Sequence, residues 1–308
     1  MTLDDDTVTL RGAGRDGLRL AVRRTSGSTG TGAGADQRTP FLLVHGLASN
    51  ARVWDGVASR VAARGHDVVA VDLRGHGRSD VPEDGYDTET AAQDLAALCA
   101  ALGWVGERRP VVAGQSWGGN VVLALAASGT TGLHAIALLD GGWLRPAARF
   151  GTADQCWAAL APPDLSHRRY AELVRQLRDA RPDWPDEGVA GTVANLVELP
   201  DGGVRARLHR HHHEQIVRSL WAGDPRTLYP RVAVPALLLP AGDPEASDRA
   251  GQAKRVAVDE AATALAGARE VDPPVRWYVG GDHDLHAQHP ERVADDLLSL
   301  VPAAQVRR

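Results

Sequence analysis

A serine between two glycines, at the junction of a strand pattern and a helix pattern, constrains this chain more than any other feature. The run Gly114-Gln115-Ser116-Trp117-Gly118 reads G-x-S-x-G. The apolar residues 110–113 before it are typical of a strand, and residues 120–127 after it are typical of a helix. A tight strand-to-helix turn exposes a serine Oγ above the sheet, and glycines leave room for such a turn. We therefore predict that Ser116 is a nucleophile.

Composition excludes several other classes of protein. The 308 residues are enough for one large α/β domain or two smaller ones. A net charge of −5 argues against a nucleic-acid partner, which would need a basic patch. Two cysteines, Cys99 and Cys156, cannot build a disulfide framework and lack the spacing of metal ligands. The acidic N-terminus has no apolar signal segment, and no stretch approaches the ~18 apolar residues of a membrane span. We expect a cytoplasmic protein; nothing indicates its oligomeric state.

Strand patterns alternate with helix patterns along most of the chain, which indicates a mostly parallel sheet with helices on both faces. The predicted strands cover residues 7–11, 18–23, 41–44, 67–71, 110–113, 134–139, 235–239 and 275–279. The predicted helices cover residues 52–64, 88–102, 120–127, 249–266 and 291–300. Residues 12–17 match the dinucleotide fingerprint G-x-G-x-x-G. A strand pattern follows them instead of the required helix, so we interpret them as a hairpin turn.

One long segment breaks this alternation. Between Leu139 and Pro235 lie four of the eight tryptophans, namely Trp143, Trp157, Trp184 and Trp221. We predict that residues 142–230 form an inserted helical cap on a core made of residues 1–141 and 231–308. Aromatic side chains often line small-molecule pockets, so Trp143 or Trp157 is expected to face a sizeable apolar acyl group of the substrate.

Four motifs occur in the order typical of one family, and from about Val8 to about Leu300 the chain resembles the α/β-hydrolase fold superfamily. They are His45-Gly46-Leu47, the segment from Asp72 to Ser79 (DLRGHGRS), Gly114 to Gly118 around the serine, and Gly280-Gly281-Asp282-His283 with His289-Pro290-Glu291. The resemblance implies a hydrolase core with a cap after the sixth strand. It implies no cofactor, and a small molecule as substrate.

A serine nucleophile needs a base, and the base needs an acid. The resemblance places the base at His283, just past the last predicted strand, with His286 as the next candidate. For the acid it favours Asp243, on the loop after the strand at 235–239, although the spacing from that strand departs from the family pattern. Asp140, at the end of the strand at 134–139, is the rival, and its alternative role is to form a turn before two glycines.

The oxyanion of an acyl-transfer intermediate needs two backbone N–H donors. The residue after the nucleophile, Trp117, and the residue after His45-Gly46, Leu47, are the predicted donors. His45 itself is interpreted as structural, and so is the polar turn that contains Asp72, Arg74 and His76.

The histidine-rich run at 209–213 resembles a metal site at first sight. Consecutive helical residues point in different directions, so we interpret it as the rim of a cap helix and predict no metal. The sequence thus predicts a serine hydrolase for an ester, lactone, thioester or similar acyl substrate. Two alternatives stay open: a non-catalytic binding protein on this fold, and a non-hydrolytic lyase or haloperoxidase-like member.

Overall fold

The computed structural model of the chain describes residues 3–11, 17–25, 38–269, 272–302 and 305. The run rich in glycine, serine and threonine at 26–35, a composition typical of a surface loop, lies outside these ranges, and so do residues 12–16 of the predicted hairpin turn. A strand follows Gly17, where the dinucleotide fingerprint would require a helix. No helix within the described ranges is both long enough and apolar enough to cross a membrane.

A seven-stranded sheet forms the centre of the molecule, in the order β1-β2-β4-β3-β5-β6-β9. The neighbouring strands β4, β3, β5, β6 and β9 pair in parallel, whereas β2 pairs antiparallel with both β1 and β4. A separate two-stranded sheet joins β7 to β8. The strands are β1 (Asp4–Thr9), β2 (Arg19–Thr25), β3 (Phe41–Val44), β4 (Val68–Val71), β5 (Val111–Gln115), β6 (Ala135–Leu139), β7 (Leu196–Glu198), β8 (Val204–Ala206) and β9 (Ala236–Leu239).

Helices cover both faces of this sheet, as the alternation predicts. Residues of β3 alternate between the two faces: Leu42 and Val44 join a core with α2, α3 and α8, whereas Phe41 and Leu43 join a core with α1 and α10. The strands are therefore buried on both sides and read as continuous apolar runs. The helices before β6 and after β9 are α1 (Asp55–Ala63), α2 (Thr88–Ala101), α3 (Trp117–Ser128), α8 (Arg249–Arg269), α9 (Leu285–Gln288) and α10 (Pro290–Leu298).

The last predicted strand, 275–279, is present only as two isolated bridges. Val275 pairs with Leu238 and Tyr278 pairs with Ala241, both in parallel. Between them the ladder would need an N–H from Pro240, which proline does not have. The main chain still runs beside β9, because Arg276 and Tyr278 donate to the carbonyl groups of Leu238 and Pro240. His283 follows this segment, at the edge of the sheet where the parallel strands end.

The segment between β6 and β9 contains α4 (Ala153–Leu160), α5 (Tyr170–Asp179), α6 (Asp186–Val193), the β7–β8 pair and α7 (Arg210–Ala222). Helix α7 packs on α4 and contacts the start of α2, where the Thr88 N–H donates to Ser219 Oγ at 3.2 Å. Trp143 is buried in the core beside α3, and Trp157 lies half-buried under the Arg210 guanidinium. The cap boundaries, and a tryptophan facing the substrate, stay predictions.

Candidate active site

Ser116 occupies a sharp turn between β5 and α3. Its backbone has φ 55° and ψ −124°, a conformation that costs energy for any residue with a side chain. The turn is compact: a Cβ added to Gly118 would collide with the carbonyl oxygen of His45, and one added to Gly114 would collide with the carbonyl of Gly118. The glycines of the G-x-S-x-G run therefore allow the nucleophile turn to pack against the end of β3.

The loop after β3 lies directly beside this turn. A Cβ added to Gly46 would lie 2.9 Å from Ser116 Cβ, so the backbone of Gly46 is close to the serine. Leu47 is the next residue of this loop. His45 fastens the loop, because its Nε2 accepts from the Leu73 N–H at 3.0 Å and its Nδ1 donates to the Gly46 carbonyl at 2.7 Å. Both contacts support its structural interpretation. Trp117 begins α3, and the first N–H groups of a helix have no partner within it.

His283 pairs with Asp140. The His283 Nδ1 lies 2.6 Å from Asp140 Oδ2. The Asp140 side chain is only 3% exposed, whereas that of His283 is 50% exposed, so the imidazole is anchored at one nitrogen and open at its other side. His286 is fully buried against Trp54, with ring centres 4.2 Å apart, and both of its ring nitrogens are enclosed. It is therefore unsuited to act as the base.

His283 contacts Asp140 rather than Asp243, the acid that the resemblance favours. Asp243 is exposed, and its Oδ1 accepts the Glu245 N–H at 2.8 Å in a local turn. The loop after β9 contributes a backbone group instead, since the Ala241 N–H donates to Asp140 Oδ1 at 3.1 Å. Loops from the ends of adjacent strands reach the same place, and here the buried carboxylate comes from β6.

Electrostatics of the pair follow from burial and mutual contact. Burial alone would raise the pKa of Asp140, but hydrogen bonds and charges from His283 and Lys254 outweigh it and lower the pKa. Burial likewise disfavours charge on His283, yet the hydrogen bond and charge of Asp140 raise its pKa above the ordinary value. The carboxylate thus stays ionised and stabilises a protonated imidazole.

Backbone strain is concentrated at this site. Among the described residues, the non-glycine residues with positive φ are Ala48 at 56°, Ser116 at 55° and Asp140 at 41°. Ala48 follows the predicted oxyanion donor Leu47, and the other two are the nucleophile and acid candidates. Residues in this left-handed region cost of order 1–3 kcal/mol and cluster at functional sites. The loops after β3, β5 and β6, which the side-chain chemistry already assigns to the site, are therefore also distinguished by their backbone conformation.

Two residues of the site escaped sequence reasoning. Gln115 donates from Nε2 to the His283 carbonyl oxygen at 3.0 Å, which holds the histidine loop beside the nucleophile turn. Lys254 on α8 lies 2.9 and 3.0 Å from the two carboxylate oxygens of Asp140. Nothing in the sequence marks Gln115, because the G-x-S-x-G motif allows any residue at its position. Lys254 could have been noticed, since it is the single lysine of the chain.

In the described part of the chain, His209, His211 and His212 form a group whose ligand atoms all lie within 4.8 Å of one another. His209 precedes α7 in an extended conformation, so the helical-face argument does not apply to it. The rings of His211 and His212, however, have centres 3.8 Å apart. Two imidazoles bound to one zinc ion at about 2.1 Å would have centres roughly 5 Å apart. The three rings pack on one another, and His212 also stacks on Tyr86. The absence of a metal stays a prediction.

Comparison with known proteins places the chain in a family. The family model of the alpha/beta hydrolase fold matches residues 39–181. N-formylmaleamate deformylase of Pseudomonas putida is 30% identical over 218 residues, which cover 66% of this chain and 70% of that protein. The chain belongs to the alpha/beta hydrolase fold family, and its homologues include hydrolases and haloperoxidase-like proteins.

Two further likenesses extend along most of the chain. 2-(Acetamidomethylene)succinate hydrolase of Mesorhizobium japonicum is 24% identical over 263 residues, covering 85% of this chain and 88% of that protein. A crystal structure of E-2-(acetamidomethylene)succinate hydrolase aligns with a TM-score of 0.72 at 23% identity, covering 97% of this chain and 99% of that one. The chain spans only 35% of a non-heme chloroperoxidase of Streptomyces lividans, at 40% identity over 100 residues. The structural likeness shows the fold, and the relatives that are hydrolases support hydrolase activity.

Proposed function

We propose that the protein is a serine hydrolase that cleaves an acyl substrate through Ser116, His283 and Asp140. The 2.6 Å contact between His283 Nδ1 and Asp140 Oδ2 carries this proposal, because it orients a half-exposed imidazole whose loop is bonded to Gln115, the neighbour of the serine. An acid in this position fixes the tautomer of the base and stabilises its cation.

In the proposed mechanism the Ser116 Oγ attacks the acyl carbon while His283 Nε2 removes its proton. The Leu47 and Trp117 N–H groups stabilise the resulting oxyanion. His283 then gives the proton to the leaving group, which departs and leaves an acyl-enzyme. Water attacks this ester with His283 again as the base, and the serine is regenerated.

The acyl group can belong to an ester, a lactone, a thioester or an amide. We include amides because the names of two relatives specify an acetamido and an N-formyl compound. A fold of this kind accommodates many substrates, so the nucleophile can be tested before the substrate is known.

Covalent labelling with a fluorophosphonate tests the nucleophile. We expect one label per chain at Ser116 and none in Ser116→Ala, because only an activated serine attacks the phosphorus. Ser128→Ala, at the other end of α3, is the matched control and should label normally. Hydrolysis of p-nitrophenyl esters of increasing chain length, and of N-formyl and N-acetyl amides, then defines the acyl class.

Label on another serine, or label that persists in Ser116→Ala, would contradict the assignment. Labelling at Ser116 without turnover of any acyl substrate would instead favour a binding or haloperoxidase-like role. One relative named as a non-heme chloroperoxidase makes the latter worth assaying.

A further inference from the structure

We propose that Lys254 is a positioning residue that holds the Asp140 carboxylate in the orientation required by His283. This inference rests on the proposed function, since it assigns Lys254 to the same triad. The Lys254 Nζ lies 2.9 Å from Asp140 Oδ1, 3.0 Å from Asp140 Oδ2 and 3.0 Å from the Ala241 carbonyl oxygen. An ammonium group has three donors, so each of them has an acceptor here.

The contacts fix the rotation of the carboxylate. Oδ1 receives the Ala241 N–H and Lys254, while Oδ2 receives His283 and Lys254. A cation that bridges both oxygens prevents them from exchanging places, which keeps Oδ2 directed at the imidazole. Lys254 also binds the Ala241 carbonyl, so α8, the end of β6 and the loop after β9 meet at one atom.

Charge balance also requires a partner for this carboxylate. Asp140 is almost fully buried, and a buried carboxylate without a compensating charge is strongly unfavourable. While His283 is neutral and ready to act as a base, it supplies no positive charge. Lys254 supplies it in that state, and when His283 becomes protonated the carboxylate lies between two cations.

The choice of residue agrees with this geometry. Of the 34 lysine and arginine residues, 33 are arginine, and the single lysine stands at this carboxylate. A planar guanidinium suits two parallel bonds to one carboxylate, whereas a compact ammonium brings three donors to one point. At Lys254 the three acceptors surround one point, where an arginine would lose at least one of these bonds.

Lys254 has a second effect, on the imidazole itself. The titratable and charged groups that face His283 are Asp140, Lys254, Asp284 on its own loop and His286 on α9. The charges of Asp140 and Asp284 raise the pKa of His283, whereas the charge of Lys254 lowers it. His286 is buried and has a pKa of about 3, so it is uncharged. Removal of Lys254 should therefore raise the pKa of His283.

The experiment compares Lys254→Met, Lys254→Arg and the control Arg255→Met in the full-length protein. Arg255 is the next residue on α8 and donates to the Pro244 carbonyl oxygen at 3.0 Å. For an ester that the protein hydrolyses, we expect Lys254→Met to lower kcat about 10- to 100-fold, less than loss of the acid itself would. The acidic limb of kcat/KM should move to higher pH. Lys254→Arg should restore the limb and part of kcat, and Arg255→Met should change neither.

Two further readouts are needed. One distinguishes a positioning role of Lys254 from a purely structural role, and the other distinguishes failure of this inference from failure of the proposed function. Unchanged kcat and pH limb in Lys254→Met, with only a lower melting temperature, would overturn the positioning role. An NMR titration of His283, assigned with His283→Asn, needs no turnover and should give a higher pKa in Lys254→Met. If Ser116 fails to label but this shift is seen, the hydrolase proposal fails while the coupling of Lys254 to the pair stands. An unshifted titration would overturn that coupling.

Discussion

Asp140 adopts a backbone conformation that few aspartates adopt, with φ 41°, and this conformation places its carboxylate under the imidazole of His283. Gly141 follows with no side chain, and a Cβ there would collide with the backbone of Ser116. The glycine that suggests an ordinary turn in the sequence thus serves close packing of the acid loop on the nucleophile turn. At the residue scale, strain, burial and pairing all converge on Asp140.

Replacement of the two acid candidates distinguishes their roles. We expect Asp140→Asn to lower kcat by up to ~10⁴-fold, because an amide no longer stabilises the imidazolium or fixes the tautomer. Asp243→Asn is the matched control, and its exposed side chain should matter little. Because Asp140 raises the pKa of His283, the acidic limb of kcat/KM should move to lower pH in Asp140→Asn. A larger loss in Asp243→Asn would return the acid role to Asp243.

At the scale of elements, periodicity predicts most of the sheet, and β3 is obtained to the residue because an apolar run between Pro40 and His45 allows no other bounds. The partner of His283 could not be predicted in this way. Asp140 and Asp243 follow adjacent parallel strands, so both reach the same edge, and tertiary packing selects between them. Lys254 is 114 residues from Asp140, a contact that no local pattern encodes.

Helix α6, which lies between β6 and β9 in the chain, packs closely against the short helix Ala51–Trp54. A Cβ on Gly191 would lie 2.7 Å from Val53 Cα and 2.8 Å from Val53 N. These are main-chain atoms, so no side-chain rotation relieves the overlap. Asn50 strengthens the same junction, since its Nδ2 donates to the Gly191 carbonyl oxygen at 2.9 Å.

Identical substitutions in two helices should therefore have opposite effects on stability. We expect Gly191→Ala to lower the free energy of unfolding by about 1–3 kcal/mol, the usual cost of overpacking. At Gly267, on α8, no atom of the described residues lies within 4 Å of an added Cβ, so Gly267→Ala should raise the free energy of unfolding by about 0.5–1 kcal/mol through helix propensity. Urea denaturation measures both. A stabilised Gly191→Ala would mean that α6 can move away from the core without cost.

At the scale of the whole molecule, several of the twelve histidines are buried in uncharged form. Burial lowers the pKa of His45, His66 and His76, and it lowers that of His286 to about 3. An unfolded histidine titrates near 6.5, so the unfolded chain binds more protons than the folded one below that pH. These histidines therefore make their whole contribution to the free energy of unfolding above about pH 6.5. The contribution decreases as the pH is lowered toward their pKa values in the folded protein.

His286 allows a direct test of this linkage, because its two ring nitrogens are buried beside Trp54 and have no hydrogen-bond partner among the described residues. Each such histidine contributes up to about 1.4 kcal/mol per pH unit between its folded and unfolded pKa. We expect the free energy of unfolding of the wild-type protein to fall from pH 6.5 to 4.5, and the slope to decrease by up to this amount in His286→Leu. His167→Leu, which alters an exposed histidine, is the control. His283 has the opposite linkage, since its raised pKa contributes stability that is lost only as the pH rises. Urea denaturation across this range measures the slope, and an unaltered slope in His286→Leu would show that His286 is protonated in the folded protein.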